Sequence, residues 1–207
     1  MEETEAACHE LLFRLAGRLS DVQLWRFRDW LSVGSFVMLA RVLPRALLHD
    51  RVALTEREHA LLEHALLPHG ADQGLVSSVV GVDELPDTDY TFSSESPDRV
   101  SMGDSASVVL GAALRGRPEV GEVRVCWRFG RTRDASARRV VLVNAYSGIA
   151  RLTGELQGML RALGEHEPCA EVIPPGIELP PYHRAALAAS ELVCVGAANT
   201  EGHPVPG

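Results

Sequence analysis

The chain has no lysine. All 20 basic residues among its 207 are arginine, which excludes a P-loop lysine, a Schiff-base lysine and a lysine general base. Many nucleotide hydrolases and pyridoxal enzymes go with them, and a GC-rich coding bias accounts for the absence itself. Cysteine is sparse as well. Cys8, Cys126, Cys169 and Cys194 stand far apart and form no C-x-x-C pair, so neither a zinc knuckle nor a disulfide framework is indicated and reduced thiols are expected. Long apolar runs are missing. The longest uncharged apolar stretch, residues 30–40, falls short of the roughly 20 residues that a membrane span needs. The opening MEETEAACHE lacks the basic-then-apolar design of a secretory signal. A cytoplasmic protein with no membrane contact is the expectation.

What is present is a globular composition with an uneven charge map. With 46% hydrophobic and 23% charged residues, the chain can bury one generous core or two small ones. The net charge of −8 argues against a surface that coats nucleic acid or anionic lipid throughout.

The apolar pattern predicts an α+β fold: a helical N-terminal segment packed on a small antiparallel or mixed sheet with covering helices. Residues 1–68 read as a helical domain. Cys8, Leu11, Leu12, Leu15 and Leu19 make one apolar stripe. Ser20 with Gln23, and Thr55 with Glu58, have the spacing of capping boxes. Pro44 is expected to kink or restart the third helix, and Pro68 to close the fourth. Residues 69–103 read as an acidic connector with one short strand near 75–82. Residues 104–195 form the α+β domain, and 196–207 a loose tail. Within 104–195, EVRVCWRF and RRVVLVNAY alternate as strands of an antiparallel hairpin. Val123, Val125, Trp127 and Phe129 take the core face, and Arg124, Cys126 and Arg128 the other. A helix comes next, with Ile149, Leu152, Leu156, Met159, Leu160 and Leu163 on one face, ended by Gly164. CAEVI is a third strand, and PYHRAALAASELV a helix with proline in its first turn. DSASVVLGAALRG reads as a helix capped by Asp104.

Three features of this stretch occur together: the RPEV turn at 117–120 feeding a strand, the strand–strand–helix order, and the PPG turn at 174–176 after a strand. Over residues 104–192 the chain resembles the C-terminal domain of the SseB (enhanced serine sensitivity) family. The resemblance implies an α+β module and carries over no catalytic residue.

The chemistry that stands out is cationic. Arg115, Arg117, Arg124, Arg128, Arg131, Arg133, Arg138 and Arg139 face only Glu119, Glu122 and Asp134 in sequence, a local charge of +5 that leaves −13 on the rest of the chain. Guanidinium forks suit carboxylates and phosphates. The hairpin therefore reads as a binding surface, carried by Arg124, Arg128, Arg131, Arg133 and Arg138, for an acidic protein partner. Nucleic acid is disfavoured because no aromatics are interleaved for base stacking. The competing reading is internal neutralisation, with the six carboxylates of residues 83–98 folded across the hairpin.

Other patterns are weighed against plainer readings. Gly154 and Gly158 lie opposite the apolar stripe of their helix, where close approach of another helix, or of a second copy, competes with drift at a tolerant site. Gly103-Asp104-Ser105 resembles a GDS esterase block but has no supported histidine, and a helix cap explains it. His59 and Glu63 share a helix face without completing a metal site. Trp25, Phe27 and Trp30 cannot share one face, which points to packing between the two parts. No cofactor is indicated. The expected function is a non-enzymatic interaction or regulatory module using the arginine hairpin, with self-association as a further outcome. The alternative is a small anionic-ligand binder or enzyme with its site between the two parts, in a cleft lined by His183, Arg124 or Arg128, Tyr146 and a carboxylate.

Overall fold

The structure, a computed structural model, describes residues 2–85, 87–96, 105–130 and 137–199. The first helix, α1 (Glu2–Arg14), has Glu2, Glu3 and Glu5 in its first turn and Arg14 in its last, which suits the helix dipole at both ends. In α2 (Asp21–Ser32) the Ser20 side chain accepts from the Gln23 N–H and Gln23 reaches back to the Ser20 N–H, so the expected capping box is formed. The same reciprocal pair, Thr55 with Glu58, opens α4 (Glu56–Leu66). Between them, α3 (Phe36–His49) runs through Pro44 without a break. The expected restart does not occur: Leu39, Leu43 and Leu47 on either side of the proline are buried in the helical core, and that packing outweighs the lost backbone donor.

The region beyond residue 68 departs from the sequence reading. Pro68 lies in a single 3-10 turn, Leu67–His69. A short helix α5 (Gln73–Ser77) then stands where a strand is expected, because the Asp72 side chain caps the Leu75 N–H. Only Gly81 makes a bridge, to Leu54. Val76 and Val79 pack in the same core cluster as the N-terminal helices. The connector also supplies a strand, β1 (Thr91–Ser93).

The remaining elements are α6 (Ser105–Leu114), β2 (Val120–Phe129), β3 (Arg138–Ala145), α7 (Ile149–Ala162), β4 (Cys169–Ile173), α8 (Pro181–Ala188) and β5 (Glu191–Val195). The hairpin β2–β3 is antiparallel, and β4 adds parallel to β3. On the other side of β2, β1 pairs with residues 127–129 and β5 with residues 122–125. The helix read over PYHRAALAASELV stops at Ala188, and the strand β5 takes the rest. Its strand character comes from pairing with β2, which no local pattern encodes. Of the expected loose tail, Ala197–Asn199 form a 3-10 turn, and residues 200–207 lie outside the described residues.

Both faces of the sheet are covered. Val123, Val125, Val141 and Val143 pack under Leu110 of α6 and Leu152, Leu156 and Leu160 of α7. On the opposite face, Cys126, Val140, Leu142 and Cys169 pack under Phe13 of α1 and Ala186 of α8. The N-terminal helices are thus packed onto a mixed five-stranded sheet, an α+β fold. Among the described residues no helix is long and apolar enough to cross a membrane.

Candidate functional site

The free edge of β4 governs how the helices meet the sheet. An uncovered strand edge leaves carbonyl groups without partners. Here side chains from two helices supply them: His9 Nε2 donates to Val172 O at 2.9 Å, and Arg28 Nη1 donates to Ala170 O at 2.9 Å. Residues two apart in a strand aim their carbonyls the same way, so these two acceptors face one edge.

Arg28 does more than cap. It forms a two-pronged pair with Glu171, with Nη1 to Oε1 at 2.8 Å and Nη2 to Oε2 at 2.6 Å. His183 Nε2 donates to Glu171 Oε2 at 2.8 Å. The His183 ring stacks on Phe13 with centroids 3.6 Å apart. All three ionisable residues of this cluster are buried. Burial pushes the Glu171 carboxyl up, but Arg28 and His183 outweigh it and hold its pKa at about 2. Burial lowers His183 below its ordinary value in spite of Glu171. The ring is therefore neutral at pH 7, with its proton on Nε2, and Nδ1 is left buried with no hydrogen-bond partner. Burial, with Arg28 nearby, lowers His9 to about 4. The cluster is closed in charge, one cation against one anion.

A second cluster lies two turns back along α2, where Asp21 shares a face with Leu24 and Arg28. Arg128 Nη1 donates to Asp21 Oδ1 at 2.9 Å and to the Tyr182 hydroxyl at 3.2 Å, and Nη2 donates to Asp21 Oδ2. Its guanidinium lies 4.5 Å from the Tyr90 ring centre. Burial opposes the charged form, but Tyr182 and Asp21 overrule it and the Arg128 pKa rises. The sequence assigns Arg128 to an open binding face; the structure corrects this, since its residue exposure is only 5%. Alternation marks two faces of a strand, and with both faces covered the second is also interior.

The two clusters form one seam between helices and sheet. Asp21, Leu24, Trp25, Arg28, Arg128 and Glu171 fill it and leave no room for a bound molecule. Among the described residues, the groups named for the alternative reading do not meet in one cleft: His183 is sealed inside, while Tyr146 is exposed.

The loop end of the hairpin differs. The parallel pairing of β3 with β4 sets Val140 beside Cys169, and continuing the same offset sets Arg138 beside Glu167. Arg138 Nη2 donates to Glu167 Oε2 at 2.7 Å. Arg139 Nε lies 2.8 Å from Glu165 Oε1, and its guanidinium stacks over Trp127, 4.8 Å from the ring centre. These groups border a recess of about 340 Å3 that also touches Ser105. The side chains of Arg138 and Glu167 are 36% and 30% exposed, against 3% and 1% for Arg28 and Glu171.

The other sequence candidates fall elsewhere. Arg124 donates to Glu122 at 3.0 Å and to the Ser190 hydroxyl at 3.0 Å. Arg131, Arg133, Asp104 and Asp98 lie outside the described residues. Among the described residues, Glu122, Asp21, Glu167 and Glu165 place carboxylates on Arg124, Arg128, Arg138 and Arg139, and Tyr90 of the connector lies beneath Arg128. A methyl group on Gly154 would overlap the Ser32 side chain of α2, whereas Gly158 has open space around it. Trp25 packs toward α7, under Arg161 and with its carbonyl accepting from Gln157. His59 donates to Val79 O, and among the described residues no three metal-ligating side chains converge. Sequence reasoning missed Glu171, although its signal is present: one carboxylate inside the apolar strand CAEVI needs a buried cation.

Comparisons with protein-family models, with curated proteins and with solved structures gave no match.

Proposed function

We propose that this protein is a non-enzymatic interaction module that acts in the cytoplasm and recognises an acidic protein partner through the loop end of its arginine hairpin. One observation carries the reading. Arg138 and Arg139 are held by partly exposed carboxylates beside a recess of about 340 Å3, while the seam between the two parts is filled. The Arg138–Glu167 pair is about one-third exposed, and solvent-exposed ion pairs contribute roughly 0–1 kcal/mol each, so Arg138 can change partners at little cost, with Arg139, 11% exposed over Trp127, beside it. The buried arginines cannot, because each would leave a carboxylate uncompensated in the interior. The four cysteines are buried and unpaired, as suits a reducing compartment. The resemblance of residues 104–192 to the SseB domain brings no activity with it, so the reading rests on the side chains.

Fluorescence anisotropy with a labelled glutamate-rich peptide at low salt tests it. The full chain binds, added salt weakens the complex, and the R138A/R139A variant loses binding while R124A retains it. Equal binding by R138A/R139A overturns the assignment of the surface.

A further inference from the structure

Glu165 and Glu167 stand on either side of His166, between the end of α7 and the start of β4. We propose that this Glu-x-Glu segment is a built-in stand-in for the partner, and that the partner's recognition element is an extended chain carrying carboxylates at alternate positions. The inference rests on the interaction surface proposed above and names what that surface accepts.

The geometry argues for it in three steps. Consecutive arginines of one strand point to opposite sides, yet Arg138 and Arg139 each hold one carboxylate of the same three-residue segment, at 2.7 Å and 2.8 Å. The arginine pair is thus already matched to acids spaced two residues apart. Next, the backbone of the segment is tied down: Gly164, at φ +95°, ends α7, its N–H donates to Arg161 O, and the Glu165 N–H donates to Leu160 O. Exchange therefore needs only a change of side-chain rotamer, not movement of the chain. Finally, the Trp127 ring beneath Arg139 fixes the plane of that mostly buried guanidinium, so its position is set before a partner carboxylate arrives at the more exposed Arg138.

The stand-in makes the surface self-limiting. A weakly acidic chain does not displace Glu165 and Glu167, whereas one presenting two acids at matched spacing replaces both at once. Removing the internal competitors strengthens partner binding, whereas removing a residue that contacts the partner would weaken it.

The test uses the full-length chain and two labelled peptides of identical composition. One alternates glutamate with serine; the other repeats Glu-Glu-Ser-Ser and so has no two glutamates spaced two apart. The proposal expects E165Q/E167Q to bind the alternating peptide about tenfold more tightly than the unmodified chain, as two pairs of modest strength imply. It also expects both proteins to prefer the alternating peptide. The single variants E165Q and E167Q give part of the gain each and serve if the double variant does not fold. If the unmodified chain binds and the glutamine variants bind no better, the stand-in is overturned while the interaction surface survives. Equal affinity for the two peptides overturns the spacing rule. If neither the unmodified chain nor any glutamine variant binds a peptide, the underlying reading of the surface fails as well. Tenfold tighter binding of succinate alone by the variants assigns the recess to a small anion and overturns the acidic-chain partner.

Discussion

The seam and the loop end of the hairpin use the same chemistry, arginine against carboxylate, in two different solvents. At the seam, Arg28 with Glu171 and Arg128 with Asp21 are almost wholly withdrawn from water, and each guanidinium has both terminal nitrogens engaged. At the loop end of the hairpin, Arg138 and Glu167 remain about one-third exposed, while Arg139 beside them is 11% exposed. The difference lies in what happens when a partner leaves. A buried charge without its partner is costly, so the seam pairs are fixed and set the position of α2 against the sheet. An exposed charge is re-solvated, so the Arg138–Glu167 pair is exchangeable. Identical residue types therefore serve as structure in one place and as a recognition surface in the other.

The sharpest way to break this comparison is to remove one partner at the seam. R28M leaves Glu171 buried and uncompensated and is expected to lower unfolding stability by about 3–5 kcal/mol, measured by urea denaturation. R28M/E171M removes both charges and recovers most of that loss; failure to recover would mean that the hydrogen bonds, not the charge balance, hold the seam.

Acidification attacks the same region. His9 has a folded-state pKa of about 4 against an ordinary 6.5, so the unfolded chain binds the proton more readily. Its contribution is full above pH 6.5 and is lost as the pH falls through 4, on the order of 3 kcal/mol in total. Glu171, with its pKa at about 2 against 4.5, adds a further loss between those values. Urea midpoints recorded against pH should fall below 6.5, and H9Q should flatten the upper part of that fall.

The two glycines of α7 sharpen the contrast between a packed and an open surface. G154A drives a methyl group into Ser32 and should cost about 1–3 kcal/mol. G158A meets open space and should raise the melting temperature slightly, by up to about 1 kcal/mol of stability.

What is legible in the sequence is local. The capping boxes at Ser20 and Thr55, the Leu152, Leu156 and Leu160 stripe of α7 and the β2–β3 hairpin all depend on residues a few positions apart, and all appear in the structure, although Leu163 of the expected stripe is exposed. Pairings across long separations are not legible. Arg28 and Glu171 are 143 residues apart, and Arg128 and Asp21 are 107 apart. Alternation along β2 separates two faces correctly, but it carries no information that α1 and α8 cover the second, and so Arg128 reads as open. Strand β5 reads as helix because ELVCV becomes a strand only when the edge of β2 is beside it. Of the candidate site, Arg138 is identifiable from composition, whereas its internal partner Glu167 depends on the parallel register of β3 with β4.

The most direct test of the division between fixed and exchangeable arginines is to measure folding and binding on the same two preparations, R128A and R138A. R128A is expected to lose several kcal/mol of urea stability, whereas R138A should unfold within about 1 kcal/mol of the unmodified chain and yet bind the glutamate peptide more weakly. An R128A protein as stable as the unmodified chain, or an R138A protein as destabilised as R128A is expected to be, would contradict it.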